Sequence, residues 1–244
     1  MATLQTKTIQ PATGTNVDLG AAGDVVTLAS DSIQTNLYKD SGGNTIFQSD
    51  GAGTLSNVNS ALSPAGPKLI LSQTASSSAN ISFTSDIDST YDHYMFIFVN
   101  IQPASNSVKW EVQFNASGQT GYNESMTTVA WYVQHWEDGS ATSGPELTSS
   151  GTRQGNGTSF QCMGEDVGNG SDESLSGEFH LFSPSNTTNI KQFSWLINDY
   201  DQGNRSQQRG GGGNINTTSA ITEVQFKFNS GNINAGKVKM YGII

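Results

Sequence analysis

The residues best suited to chemistry lie in "WYVQHWEDG", residues 131–139. In an extended strand, successive side chains alternate between faces, so Trp131, Val133 and His135 share one side and Tyr132, Gln134 and Trp136 the other. One face has to pack into a core. The expectation is that the other leaves Tyr132 and Trp136 partly exposed beside Gln134, Glu137 and Asp138. An aromatic ring face next to amides and acids suits sugar binding: the ring stacks on the apolar side of a pyranose and the polar groups take its hydroxyls. Tyr132, Gln134, Trp136 and Glu137 are therefore the candidate glycan-binding residues. The competing reading covers both faces with a loop or a neighbouring subunit.

Other constellations point to less. Acids are paired at Asp86/Asp88, Glu137/Asp138, Glu165/Asp166, Asp172/Glu173 and Asp199/Asp201. Glycoside hydrolysis needs two carboxyls facing one another across a cleft, roughly 5–10 Å apart, and adjacent loop acids ordinarily just face water. "NDYDQGN", 198–204, places oxygen donors at alternating positions, but Ca²⁺ needs six to eight oxygens and the closing Glu of an EF-hand is missing. An Asx-turn loop is the better reading of Asp199–Asp201. His93, His135 and His180 show no metal spacing, and neither G-x-S-x-G nor H-E-x-x-H occurs. No catalytic residue, metal or cofactor is expected, and the chain does not read as an enzyme. Cys162, the one cysteine, precludes an intrachain disulfide and reads as a small buried strand residue. "RSQQRGGGGN", 205–214, reads as a mobile hairpin tip or a loop threaded close to another backbone, with mobility the default.

The elements that must hold these residues are strands. Of 244 residues only 34% are hydrophobic and 13% charged, while four Trp, seven Tyr and eleven Phe supply core material, which is the makeup of a turn-rich β protein. A net charge of −10 with scattered basic residues argues against a nucleic-acid partner. No apolar run approaches the roughly 18 residues of a membrane span. The start, "MATLQTKTIQPATG", lacks the basic and apolar regions of a Sec signal, so synthesis and assembly in a cytoplasm are expected.

Composition changes at "SALSPAGPKLIL", where Pro64, Gly66 and Pro67 punctuate the chain. Residues 1–62 form an expected N-terminal arm. Its β-prone pieces "DVVTLAS" (24–30) and "NTIFQSDG" (44–51) alternate with "GAAGD", "DSGGN" and "DGAG", which fit tight turns needing positive φ. Its apolar residues, such as Val17, Leu19, Val25, Ile33, Leu37, Phe47, Leu55 and Val58, are too few for a core of its own, since even about 60 well-endowed residues are marginal. Residues 63–244 read as a jelly-roll-like antiparallel β-sandwich of about ten strands. "VKWEVQFNA" sets Val108, Trp110, Val112 and Phe114 against Lys109, Glu111, Gln113 and Asn115, and "HYMFIFVNI" is apolar on both faces, as for a central strand. Further strands are expected in "KLILS", "NISFTS", "TTVAWYVQHW", "TSFQCMG", "SLSGEFHLFS", "KQFSWLIN", "AITEVQFKF" and "KVKMYGI". The fold class is all-β: an extended β arm followed by a sandwich.

"KDSGGNTIFQSDGAGTLSNVNS" resembles a recurrent module near the N-termini of structural proteins of tailed bacteriophages, marine and cyanobacterial ones especially. "FKFNSGNINAGKVKMYGII" is similar to the last hairpin of the β-sandwich in such proteins, and "DSTYDHYMFIFVNIQPAS", "SGEFHLFSPSNTTNIKQFSW" and "INTTSAITEVQF" to its internal strands. The resemblance implies a virion component, fibre-like or head-decorating. It would be a homotrimer whose arm docks on other virion proteins of capsid or tail, with a host surface glycan as a further partner. It implies no catalytic residues. The alternatives are a capsid cement without receptor role, a carbohydrate-binding module and, last, a depolymerising enzyme.

Overall fold

The computed structural model describes residues 37–40, 42–56, 58–59, 66–148 and 152–243. The expected strand 24–30, with Val17, Leu19, Val25 and Ile33, lies outside the described residues. The chain divides into two compact units, Met1–Pro64 and Ala65–Ile244.

In the first unit, β1 (Leu37–Lys39), β2 (Thr45–Ser49) and β3 (Leu55–Ser56) form an antiparallel sheet in that order. Its turns are made by the predicted Gly-rich segments. Asp40 accepts the Asn44 amide at 2.8 Å, Asp50 accepts those of Ala52 (2.7 Å) and Thr54 (3.1 Å), and Gly43, Gly51 and Gly53 take positive φ. Tyr38 and Phe47 stack across β1 and β2 with centroids 4.3 Å apart. Local hydrogen bonds shape this sheet, but none of its described residues is buried.

The second unit contains β4 (Lys68–Ser78), β5 (Ile81–Phe83), β6 (His93–Pro103), β7 (Val108–Ala116), β8 (Met126–Trp136), β9 (Thr142–Leu147), β10 (Gly155–Gly157), β11 (Gln161–Val167), β12 (Leu175–Phe182), β13 (Lys191–Tyr200), β14 (Arg205–Ile215), β15 (Ile221–Phe228) and β16 (Ile233–Ile243). They build a sandwich of two antiparallel sheets. The larger has nine strands, ordered β10-β8-β14-β13-β12-β6-β16-β4 with β9 also on β8; the smaller runs β11-β7-β15-β5. Within it lies a jelly roll. When β4, β5, β6, β7, β11, β12, β15 and β16 are numbered one to eight, the sheets read 1-8-3-6 and 2-7-4-5. The inserted β8–β10 and β13–β14 widen only the first sheet.

The core is aromatic. Trp110 is fully buried and stacks parallel to Phe226 at 6.0 Å, with the Phe98 edge against it at 5.6 Å. Phe226 also meets Phe83, Phe96 and Phe179. The alternation of β7 holds for Val108, Trp110, Val112 and Phe114, but Gln113 and Asn115, expected to face water, are buried too. Loops cover that end of the small sheet. Gln113 Nε2 donates to the carbonyls of Glu124 and Thr158, and Asn115 donates to Glu223 Oε2 at 2.7 Å. On β6, Tyr94, Phe96 and Phe98 point inward, while Met95, Ile97 and Val99 are half-buried on the outer face.

The glycine run corrects an expectation. Residues 205–215 are not a hairpin tip but β14, paired along its length with β13 on one side and β8 on the other. Strand propensity argues against four glycines, yet a strand glycine also marks a place where something lies close over the backbone. Here indoles cross the strand on both faces. A Cβ at Gly210 would sit 2.5 Å from the Trp131 ring, and one at Gly211 under 3 Å from Trp195 and 2.5 Å from the Val129 carbonyl oxygen.

Three substitutions check this packing. Trp110→Ala should destabilise residues 66–244, expressed alone, by roughly 3–5 kcal/mol in chemical denaturation, since a buried Trp leaves a cavity. Gly211→Ala should cost roughly 1–3 kcal/mol from overpacking. Gly155→Ala, where nothing lies within 4 Å, should change stability by less than about 0.5 kcal/mol.

Candidate functional site

The widened end of the large sheet carries the sequence-predicted site. The parity of β8 is set upstream of it: Met126, Thr128 and Ala130 are buried, so even-numbered residues point into the sandwich and odd-numbered ones out. The expected face is therefore the inward one, although its residues keep part of their surface. Trp131, 36% exposed, is on the outer face, whereas Tyr132, Gln134 and Trp136 are half-buried. The alternation in "MTTVA" does not reveal it, because Val129 and Trp131 on the odd side are as apolar as Met126 and Ala130 on the even side.

Beyond the end of the small sheet, the inner side of β8 and β14 is filled by a polar network. Arg209 lies over the Tyr132 ring at 5.0 Å, donates from Nε to Gln207 Oε1 at 2.9 Å and pairs through Nη1 with Glu165 at 3.2 Å. Arg205 lies over the Trp136 ring at 5.3 Å and binds Asp201 from Nε at 2.6 Å and from Nη2. Gln207 Nε2 also donates to Asp201, and the Gly203 amide does so at 2.8 Å. Tyr132 donates its hydroxyl to Glu146 at 2.9 Å, and exposed Glu137 accepts the Tyr200 hydroxyl at 2.5 Å. Thus Tyr132 and Trp136 present ring faces to guanidinium groups of the chain itself, a favourable cation–π arrangement.

Asp201 and Asp199 have different fates. The Asp201 carboxylate is taken up by Arg205, Gln207 and turn amides, which makes "NDYDQGN" the Asx-type turn expected. Asp199 is 1% exposed with neither oxygen hydrogen-bonded. Burial pushes its carboxyl up to about 7; Arg209 opposes this, and Asp201 and Asp166 add to it. Among the described residues no group of three or more His, Cys, Asp or Glu side chains is placed to hold a metal. His93 and His180, far apart in sequence, meet on the outer face with Nε2 and Nδ1 2.7 Å apart, which spacing alone did not reveal. Glu173 of the Asp172/Glu173 pair accepts the Gly170 amide at 2.5 Å and so ties its own turn. Cys162 is buried on β11, and burial pushes its thiol up to about 12, which keeps it protonated near neutral pH.

The outer face is quite unlike the inner network. Hydrogen-bonded register aligns Leu147 (β9), Trp131 (β8), Gly210 (β14) and Leu196 (β13) in one row, with Val129, Gly212 and Ser194 in the next. Val129 and Leu147 are 65% and 69% exposed. Beside Trp131, Val133, Gln134, His135, Asn198, Ser206 and Gln208 line an open depression of about 250 Å³. Among described residues no helix is long and apolar enough to cross a membrane. Comparison with models of known families, with curated proteins and with solved structures found no match.

Asp199 gives a signed pH prediction. Its folded-state value lies above the unfolded 3.8, so the native state holds the extra proton between about pH 4 and pH 7. Its contribution to stability therefore falls as pH rises through that window and levels off above about 7. Asp199→Asn should lack this component. Urea midpoints of both proteins between pH 4.5 and 8.5 should converge at the acid end and separate, with the variant higher, towards pH 8.

Proposed function

We propose that the protein is a non-enzymatic, oligomeric component of a virion surface, of the tailed-phage kind that its terminal motifs resemble. The N-terminal residues associate and anchor it to capsid or tail, and the jelly-roll sandwich is displayed outward for host attachment. One observation carries this reading: the three-stranded sheet within residues 37–56 has no buried residue among those described, while the sandwich has a complete aromatic core. Three short strands without an apolar layer do not hold a fold in water. Leu37 and Leu55, 42% and 57% exposed, are the apolar surface that a second and third copy, or a neighbouring virion protein, would cover. The resemblance implies a homotrimer, and closed cyclic symmetry is the usual way for identical chains to satisfy such a surface.

Light scattering on the full chain and on residues 66–244 tests this. The full chain should be a trimer and the sandwich alone a monomer. A monomeric full chain would overturn the reading. Electron microscopy of labelled particles then distinguishes head from tail, and with it a lattice cement from an attachment protein.

A further inference from the structure

The outer face of β8, β14 and β13 has two properties that together select a ligand. The first is shape. β14 contributes only Gly210 and Gly212 at the outward positions between Gln208 and Asn214, so a trough runs over it. Its walls are Val129 and Trp131 on one side and Ser194 and Leu196 on the other, two strand spacings or roughly 9–10 Å apart. The Trp131 indole reaches across the trough at Gly210 and remains exposed to solvent.

The second is charge. In a chain of net charge −10, no outward position on these three strands carries Lys, Arg, Asp or Glu; the first acid in the same row is Glu178 on β12. The polar groups beside the indole are amides, a hydroxyl and an imidazole: Asn198, Gln208, Ser206 and His135. Polyanions find no counter-charge here, and the carboxylate that reaches this face, Glu137, is already engaged by the hydroxyl of outward Tyr200 on β13. A neutral molecule with one apolar side and many hydroxyls matches both properties.

We infer that this face binds a neutral carbohydrate, with a sugar ring stacked on Trp131 over the glycine trough. Gln208 and Asn198 exchange hydrogen bonds with its hydroxyls in the adjoining depression. The amide can donate and accept at once, which suits a hydroxyl ligand, and the ring supplies apolar contact without loss of many rotamers. The glycines are then functional as well as structural, since any side chain at Gly212 would fill the trough. This deepens the host-attachment part of the proposed function and rests on it, while the assembly of the N-terminal sheet is independent of it.

The test uses the full chain on a microarray of neutral, sialylated and sulfated oligosaccharides, followed by calorimetric titration of the strongest neutral ligand. Neutral glycans should be retained in preference to acidic ones. Trp131→Ala should weaken the titrated affinity at least tenfold, and Gln208→Ala, an exposed-face change that leaves the core alone, at least threefold. The thermal midpoint of Gln208→Ala and the molar mass of both variants should stay those of the parent. The inference is overturned if no neutral glycan is retained, if only acidic ones are, or if both variants bind like the parent. It is also overturned if Trp131→Ala reduces the oligomer, because the face would then be a contact between copies. Loss of glycan binding with the trimer intact would leave the assembly reading standing.

Discussion

Phe226 is the point on which the sandwich depends. Its ring touches Phe83, Phe96, Phe98, Trp110 and Phe179, so one side chain of β15 is packed against strands of both sheets. Aromatic rings bury large areas and favour edge and offset contacts, and a cluster of six fixes the spacing and relative position of two sheets far better than aliphatic groups of the same volume. The strands that bring these rings together are mostly those of the jelly roll. Because β15 and β16 each sit between two earlier strands, one in each sheet, the core is complete only when the last two strands are in place.

The insertions act outside this centre. β13 brings Phe193, Trp195 and Ile197 inward and so extends the apolar layer, but the small sheet stops at β11 and cannot cover β8 and the far end of β14. Arg205, Arg209, Gln207 and Asp201 fill the space there, and the two guanidiniums use Tyr132 and Trp136 as platforms. A wide sheet over a narrow one therefore has two unlike regions: an aromatic core, and a polar flank where the outward positions of β8, β13 and β14 carry no charged residue. The glycines of β14 let Trp195 press on the inner side and Trp131 on the outer side of the same strand. The fold and the candidate site share that constraint.

Much of the fold was legible because the strands with a buried face show a period of two. β7, β13, β15 and β16 are readable from alternating Phe, Trp, Val and Ile, and β6 from a run apolar on both faces. β9, β10 and β14 were not, since "TSGPEL", "GNG" and "RSQQRGGGGNI" owe their strand state to neighbours rather than to propensity. Of the candidate site only the strand was legible: "WYVQHW" lies in β8, but its parity depended on which side the small sheet lay, and no local pattern contains that. Buried polar residues were the other failure. Lys191 and Asp199 occupy inward positions at the two ends of β13, where a lysine stem can lie in the core while its ammonium reaches the Asn189 and Thr217 carbonyls at the rim. In the arm, Asp-Gly turns were readable because the hydrogen bonds that make them are local.

The central claim is that the sandwich holds itself and the N-terminal sheet is held by other copies. Hydrogen exchange of the full chain, followed by mass spectrometry across a dilution series, tests it most directly. Amides of β6, β7, β12 and β15 should stay protected at every concentration, while those of β2 and β3 should be protected when the protein is assembled and exchange freely once dilution has dissociated it. Protection of β2 and β3 that persists in the monomer would contradict the claim, because the small sheet would then be stable without a partner.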